Sequence, residues 1–351
     1  MMDRQQIYPV FLAVGGAALF GASAPLAKAL LGSVDPIVLA ALLYLGCGAG
    51  LLLAKITTRL RTVKREAGLA KTDLPWLAAS AISGGVIAPI LLMLGLQATP
   101  AATASLLLNF ECVATTSIAV LAFREAVGRR VWVAIGLITV AAAVLTLDLS
   151  GAFGISAGAL AVVGACIFWG IDNNVTCRIS AKDPVTIGLI KGLAAGTFSL
   201  ILAAALSRQM PAGITPVVIV LIVGALCYGL SIVMFIRATR GMGAARTSAW
   251  FGIAPFAGTA LSLVLFTDAP GLQLLLSLPL MIAGAALLFG EHHDHVHVHT
   301  AVYHEHYYEP DTHHPFKTPG SGMHHHEEVR HTHAHRPDIH HRHEHEEEKK
   351  E

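Results

Sequence analysis

The chain has 351 residues, of which 54% are hydrophobic and 13% charged, with a formal net charge of +1. Soluble domains carry about 25% charged residues, yet residues 1–290 hold only 18 Lys and Arg and 10 Asp and Glu, too few to cover a water-facing surface. This balance excludes a soluble helical protein, and the absence of a basic stripe with interleaved aromatics excludes a nucleic-acid partner.

In chain order the apolar stretches fall at 10–31, 36–54, 75–96, 101–122, 130–147, 156–177, 184–206, 214–236, 244–266 and 271–290. Most match the ~20 residues a helix needs to cross ~30 Å of hydrocarbon. Helices are expected rather than barrel strands, which would show ~10-residue alternation. Short joints separate the stretches, such as Gly32–Pro36, Gln97–Pro100 and Asp268–Gly271. Ala22-Ser23-Ala24 imitates a signal-peptidase site, but Pro25 follows and the apolar run continues, so a retained first span is expected. Cys47, Cys112, Cys166, Cys177 and Cys227 lie in or beside apolar runs without a CxxC spacing and read as buried thiols.

With the N-terminus inside, the inside loops would carry Arg4, Lys55, Arg59, Arg61, Lys64, Arg65, Lys71, Arg124, Arg129, Arg130, Arg178, Lys182, Arg237, Arg240 and Arg246. Only Lys28 and Arg208 fall outside, which places both termini in the cytoplasm by the positive-inside rule and the chain in a plasma (inner) membrane. Lys28, one turn from a span end, is expected to snorkel to the interface.

The chain is internally duplicated. Phe20–Ala54 aligns with Phe168–Leu202 without a gap, setting Asp35-Pro36 on Asp183-Pro184. Further on, Gly84 aligns with Gly224, Ala98-Thr99 with Ala238-Thr239, Ser105 with Ser248 and Glu125 with Asp268. Five spans per copy, an odd number, force the second copy to enter the membrane from the opposite side. The expected fold is an all-α membrane protein of ten transmembrane helices in two inverted five-helix repeats, residues 1–149 and 150–290. A disordered His-rich cytoplasmic tail, 291–351, follows. Inverted repeats are a device of secondary transporters, which bind cargo near the midplane between rocking halves.

Polar groups within spans mark the candidate pathway: Glu111 and Asn109 in span 4, Asp172 and Asn173 in span 6, and Lys191 in span 7. A charge at the bilayer centre costs about 2.5–3.5 kcal/mol on insertion scales, so each needs a partner or a wet cavity. Glu111 or Asp172 would serve as a proton or cation site and Lys191 as a substrate site or counter-charge; a structural Asp172–Lys191 ion pair is the alternative. Gly84, Gly85 and Pro89, with Gly224, Ala225 and Gly229 at the equivalent places, suit either irregular cavity-lining helices or close packing.

The run Leu-Phe-Gly-Ala-Ser-Ala-Pro-Leu-Ala-Lys (19–28) and the segment from Ala98 through Asn109-Phe-Glu111 to Phe-Arg-Glu125 resemble the EamA domain of the drug/metabolite transporter superfamily. The stretch 238–249 through Pro255 to Asp268 is similar to its second copy. In that family the fourth span usually reads Glu-Pro; here Glu111 precedes Cys112, and the ninth span keeps Pro255 but has Ala254 in the acid's place. The resemblance implies a non-enzymatic transporter that exports a small molecule by alternating access, with no cofactor required.

All nineteen histidines lie between His292 and His345. Five clusters are the candidate metal ligands. They are His293, His295, His297 and His299; His304 and His306; His324, His325 and His326; His331, His333 and His335; and His341, His343 and His345. In an extended chain residues i and i+2 share a side, so these sets suit divalent nickel, zinc, cobalt or copper held by neutral imidazoles. The alternatives are a pH-responsive or merely solubilising tail. The expected partners are the lipid bilayer, a small-molecule substrate and divalent metals, with a homodimer left open. Two further readings stand beside the metabolite transporter: a divalent-metal transporter fed by the tail, and a membrane-anchored metal buffer or sensor.

Overall fold

The computed structural model describes residues 4–59, 68–123, 128–148, 154–180, 182–266 and 270–289, with tail segments 294–299, 302–308, 320–326 and 329–334. Arg61, Lys64, Arg65, Arg124, Glu125, Asp268, His293, His335, His341, His343 and His345 lie outside the described residues.

The first half runs α1 (Arg4–Leu30), α2 (Pro36–Arg59), α3 (Leu74–Ser80), a π-helical segment (Ala81–Ile87), α4 (Ala88–Ala98), α5 (Ala101–Leu107), α6 (Phe110–Phe123) and α7 (Arg129–Thr146). A two-residue antiparallel bridge, β1 (Leu147–Asp148) with β2 (Gly154–Ile155), closes it. The second half repeats the order: α8 (Ala157–Cys177), α9 (Pro184–Ala205), α10 (Ile214–Val223), a π-helical segment (Gly224–Leu230), α11 (Ser231–Phe251), α12 (Ala254–Leu265) and α13 (Leu272–Phe289). Among the described residues eight helical stretches are long and apolar enough to cross a membrane, and the apolar helices Ala254–Leu265 and Leu272–Leu287 are shorter. Trp76 and Trp132 are exposed near the starts of their spans, as interfacial anchors are.

The aligned Asp-Pro pairs begin equivalent helices. Asp35 Oδ1 accepts from Ile37 N at 2.9 Å to open α2, and Asp183 Oδ1 accepts from Val185 N at 3.0 Å to open α9. An acidic cap followed by proline satisfies a free N–H and presets the first turn. Each cap is also held from the opposite half: Arg208 lies 3.7 Å from Asp35, and Lys55 lies 3.4 Å from Asp183.

The capped helices α2 and α9 pack closely at the centre. A Cβ on Gly192 would meet Gly48 N at 2.6 Å, and one on Gly196 would meet Leu45 N at 2.6 Å. Small residues allow such contact where lipid supplies no hydrophobic drive between helices. The two π segments then cross over between halves. Ala81–Ile87 packs on α8 and α9, whereas Gly224–Leu230 packs on α1 and α2.

Four details depart from the sequence reading. Lys28 does not snorkel; Nζ donates to Leu96 O (2.5 Å), Thr99 O (3.0 Å) and Gln97 O (3.4 Å), capping the end of α4. Carbonyls left over at a helix C-terminus attract a cation more strongly than a distant headgroup layer does. Lys28→Met should therefore cost about 1–2 kcal/mol, read as a fall of a few degrees in the thermal midpoint of detergent-solubilised protein. Of the cysteines, Cys47, Cys112, Cys166 and Cys227 are buried as expected, but Cys177, at the end of α8, is only half-buried. The joint expected between spans 8 and 9 is instead helical, because α11 runs through it to Phe251. The first half breaks at Thr99-Pro100, but the second half has Arg240 where Pro100 stands, so nothing removes an N–H from the ladder.

The fourth departure concerns the tail. It was expected to lack regular structure, yet four of its segments are strands. β3 (Asp294–His299) pairs antiparallel with β6 (Val329–Ala334), and β4 (Val302–Tyr308) with β5 (Gly320–His326). The candidate ligands His295, His297, His299, His304, His306, His324, His325, His326, His331 and His333 therefore stand in ladders rather than on a disordered chain. In the first ladder His295 is opposite His333, His297 opposite His331 and His299 opposite Val329. In the second, His304 is opposite His324, while His306 meets Gly322, His325 meets Tyr303 and His326 meets Val302. Alternating Val, Thr and Tyr favours extended backbone there, and pairing satisfies backbone groups that a disordered tail would leave to water.

Candidate functional site: a broken-helix crossing around Glu111

Spans 4 and 9 are both discontinuous, and at aligned positions. Span 4 stops after Leu107 and restarts at Phe110, placing Glu111 in the first turn of α6. Span 9 stops after Phe251 and restarts at Ala254. Glu111 N reaches Leu108 O at 3.0 Å and Phe256 N reaches Ile253 O at 3.1 Å, the tightened turns that bridge the breaks. A cleft joins these points. Phe20, Leu108, Glu111, Cys112, Phe251, Gly252, Ala254 and Pro255 line it, and in this conformation it has room for about one water molecule.

Close helix contact holds the crossing together. A Cβ on Gly21 would overlap the carbonyl oxygen of Ala254, and one on Gly258 would meet Gly21 O at 2.6 Å. Beside them Ser105 Oγ and Ser262 Oγ lie 3.3 Å apart, linking α5 to α12. Asn109 is buried at the span 4 break; its Nδ2 donates to Leu106 O at 3.2 Å, while Oδ1 has no partner among the described residues.

Helix α8 carries Asp172 and Asn173 and uses these two adjacent positions in two directions, since neighbours on a helix diverge by about 100°. Asn173 Nδ2 donates to Glu111 Oε1 at 2.8 Å and to Thr115 Oγ1 at 3.1 Å. Asn174 Nδ2 secures the same helix through Thr115 O at 2.9 Å. Asp172 turns toward α9, where Lys191 donates to its Oδ2. Its Oδ1 accepts from Ser80 Oγ at 2.5 Å and Thr176 Oγ1 at 3.1 Å. The Asp172 and Lys191 side chains are only 7% and 5% exposed.

Asp172 rests on the first π segment. There the backbone carbonyl of Gly84 accepts from Tyr44 Oη and, at 3.1 Å, from Trp169 Nε1. Phe20 links this network to the cleft, with its ring centroid 5.4 Å from Trp169 and 5.4 Å from Phe251. Thus Glu111 and Asn173 meet directly and Asp172 and Lys191 meet directly, with α8 between the pairs. Sequence reasoning missed Ser80, Tyr44, Thr115, Phe20 and Phe251. Thr115 and Thr176 lie four residues after Glu111 and Asp172, on the same helix face, and were in principle legible. Ser80 and Tyr44 come from other spans, and spacing gives no signal for them.

Among the described residues no group of three or more His, Cys, Asp and Glu is placed to hold a metal. The EamA-like transporter family matches the chain twice, over residues 7–147 and 156–290. The chain belongs to that family. A protein of Methanothermobacter thermautotrophicus described as an uncharacterized transporter is 28% identical over 287 residues, covering 77% of this chain and 82% of its own length. A solved crystal structure superposes with a TM-score of 0.61 at 19% identity, covering 80% of this chain and 94% of its own, which speaks to the fold. As an EamA-like transporter the chain is a membrane protein, and the broken crossing becomes the natural place to seek its route.

Proposed function

We propose that this EamA-like protein is a secondary exporter that moves a small molecule by alternating access, with Glu111 as the charged group on the route. The observation that carries this reading is the meeting of two aligned helix breaks at one carboxylate. Discontinuous spans in corresponding positions of two repeats are where transporters place their cargo site. The exchange of the π segments between halves, and of the Asp-Pro caps, fits repeats inserted in opposite senses. Rocking of one half against the other would open the closed cleft first to one side and then to the other. Asp172 and Lys191 hold α8, α9 and the first π segment together and leave Glu111 to face the cleft.

The histidines belong to a separate task. Both termini lie in the cytoplasm in this reading, so the tail collects or senses divalent metals without lining the route. A metal ion as cargo is the second reading because the tail would concentrate it, although the membrane part holds no histidine and nitrogen-rich sites suit these ions best.

The test is flux in proteoliposomes for a metabolite and drug panel beside nickel, zinc and cobalt, with and without residues 291–351. Metabolite flux should survive truncation and fall at least tenfold in Glu111→Gln, which keeps an acceptor for Asn173. Metal flux lost on truncation would transfer the function to the second reading. No flux of any solute would leave a membrane-anchored metal buffer or sensor.

A further inference from the structure

We infer that the acidic tail docks on a basic rim at the end of the bundle where it leaves α13, and that divalent metal on its histidines releases it. The release rests on the metal-sensing role proposed above for the tail; the docking does not.

The rim comes first. Helix ends from both halves gather at residues 178–183, the joint between α8 and α9. The Arg178 guanidinium lies 4.6 Å from the centre of the Phe123 ring at the end of α6, and α7 begins a short joint later. Lys182 lies 3.8 Å from Asp73, just before α3, and Asp183 lies 3.4 Å from Lys55, near the end of α2. Lys71, Arg129, Arg130 and Arg178 are exposed at this end. The described acids there, Asp73 and Asp183, each face a lysine, so the rim keeps a positive excess.

The exit of the tail follows from α13, which runs antiparallel to α7. Gln273 Nε2 reaches Leu147 O at 3.4 Å, Ser277 Oγ donates to Ala141 O at 3.1 Å, and a Cβ on Gly284 would meet Ala134 O at 3.2 Å. Phe289 ends α13 one and a half turns past Gly284, and Arg129 starts α7 the same distance before Ala134. The two ends therefore fall together, since both helices rise about 1.5 Å per residue. The tail leaves the bundle at the rim.

Charge supplies the attraction. Residues 291–351 hold 13 Asp and Glu against 6 Lys and Arg, the opposite balance from the membrane part. With neutral imidazoles the tail is a polyanion tethered beside a polycation, and a tether makes their encounter intramolecular. Salt limits such attraction to about 10 Å at 0.1 M, a condition that the shared exit point meets. Anionic lipid headgroups are the competing partner for basic residues at a membrane face, but the tail is attached and they are not. Lys71, Arg129 and Arg130 belong to the first half and Arg178 to the second, so a docked tail bridges the halves whose relative motion export requires.

Metal reverses the sign. A divalent ion held by neutral imidazoles adds two positive charges and removes no acid. About four such ions outweigh the acid excess of the tail, and nineteen histidines supply more than four for each. Tail and rim then carry the same sign and repel.

The experiment uses the full chain in phosphatidylcholine nanodiscs, with Cys177→Ser and nitroxide labels on Thr72→Cys at the rim and Ser321→Cys in β5. Pulsed electron resonance reads the distance between the labels. Without metal a short, narrow distribution is expected. Zinc, salt at about 0.5 M, or Arg129→Glu together with Arg130→Glu should each replace it with a long, broad one. A broad distribution already present without metal, or a short one indifferent to the two arginine changes, would overturn the docking. So would a short distribution lost on adding phosphatidylglycerol to the nanodiscs, because the rim would then belong to lipid headgroups. Calorimetry on the same samples separates the two layers. Zinc bound without a change in distance would overturn the release, whereas no zinc bound would sink the metal-sensing role and leave the docking standing.

Discussion

Replacing Gly84 by alanine is expected to unfold the centre of the protein, whereas the same change at Gly136 is expected to leave it intact. Both glycines lie in helical segments of the membrane part, where alanine is intrinsically better by roughly 1 kcal/mol. Surroundings reverse the sign at Gly84. A Cβ there would overlap the Asp172 carboxyl group and sit 2.6 Å from its Cβ. That carboxylate has no slack, because Lys191 holds one oxygen and Ser80 and Thr176 hold the other. Displacing it separates a buried ion pair, at a cost of about 3–5 kcal/mol, well above the propensity gain. Around Gly136 in α7 a Cβ would meet nothing within 4 Å among the described residues. Thermal midpoints of the two variants in detergent should therefore diverge, with Gly84→Ala far below the parent and Gly136→Ala at or slightly above it. Equal midpoints would mean that Asp172 has another place to go.

The same glycine shows what sequence can and cannot supply. Its alignment with Gly224 was legible, but the spacing left irregular helix and close packing as alternatives; both glycines fall in π-helical segments and both are tightly packed. That the irregularity exposes the Gly84 carbonyl to Tyr44 and Trp169 was not legible, because those rings arrive from α2 and α8. Hydropathy marks the membrane helices well, since lipid dictates composition over a whole span. It misses the continuous helix through Arg240, where the missing proline is the readable sign. Strand pairing in the tail was hidden for a different reason. The i, i+2 histidine spacing speaks to one extended segment, whereas setting His295 opposite His333 joins positions 38 residues apart, which no local pattern specifies. Glu111 stands out because a carboxylate among apolar residues is rare. Its neighbour Asn173 is visible only as part of a polar run, and their 2.8 Å contact depends on how α6 and α8 cross. Periodicity places residues on faces; which faces meet is decided by the whole packing of the bundle.

The Asp172–Lys191 pair yields the second large effect, and it distinguishes a lock from a route. Lys191→Met should leave a carboxylate supported only by the Ser80 and Thr176 hydroxyls, and Asp172→Asn should leave an ammonium without a counter-charge. Each single change is expected to cost about 3–5 kcal/mol, because removing one partner of a buried pair strands the other. The double variant removes both charges and should recover most of that loss, since exchanging a buried pair for neutral groups of similar size is often near neutral. A double-mutant cycle on thermal midpoints reads this directly as strong non-additivity. Flux completes the argument. Both charges already face each other, 5–7% exposed, so neither has an open side to offer a passing solute. The folded double variant should accordingly transport while Glu111→Gln does not. A double variant that folds yet carries nothing would move Asp172 into the route, and α8 would then act as the bearer of two charged stations, Asp172 and the Asn173-bound Glu111, on adjacent sides of one helix.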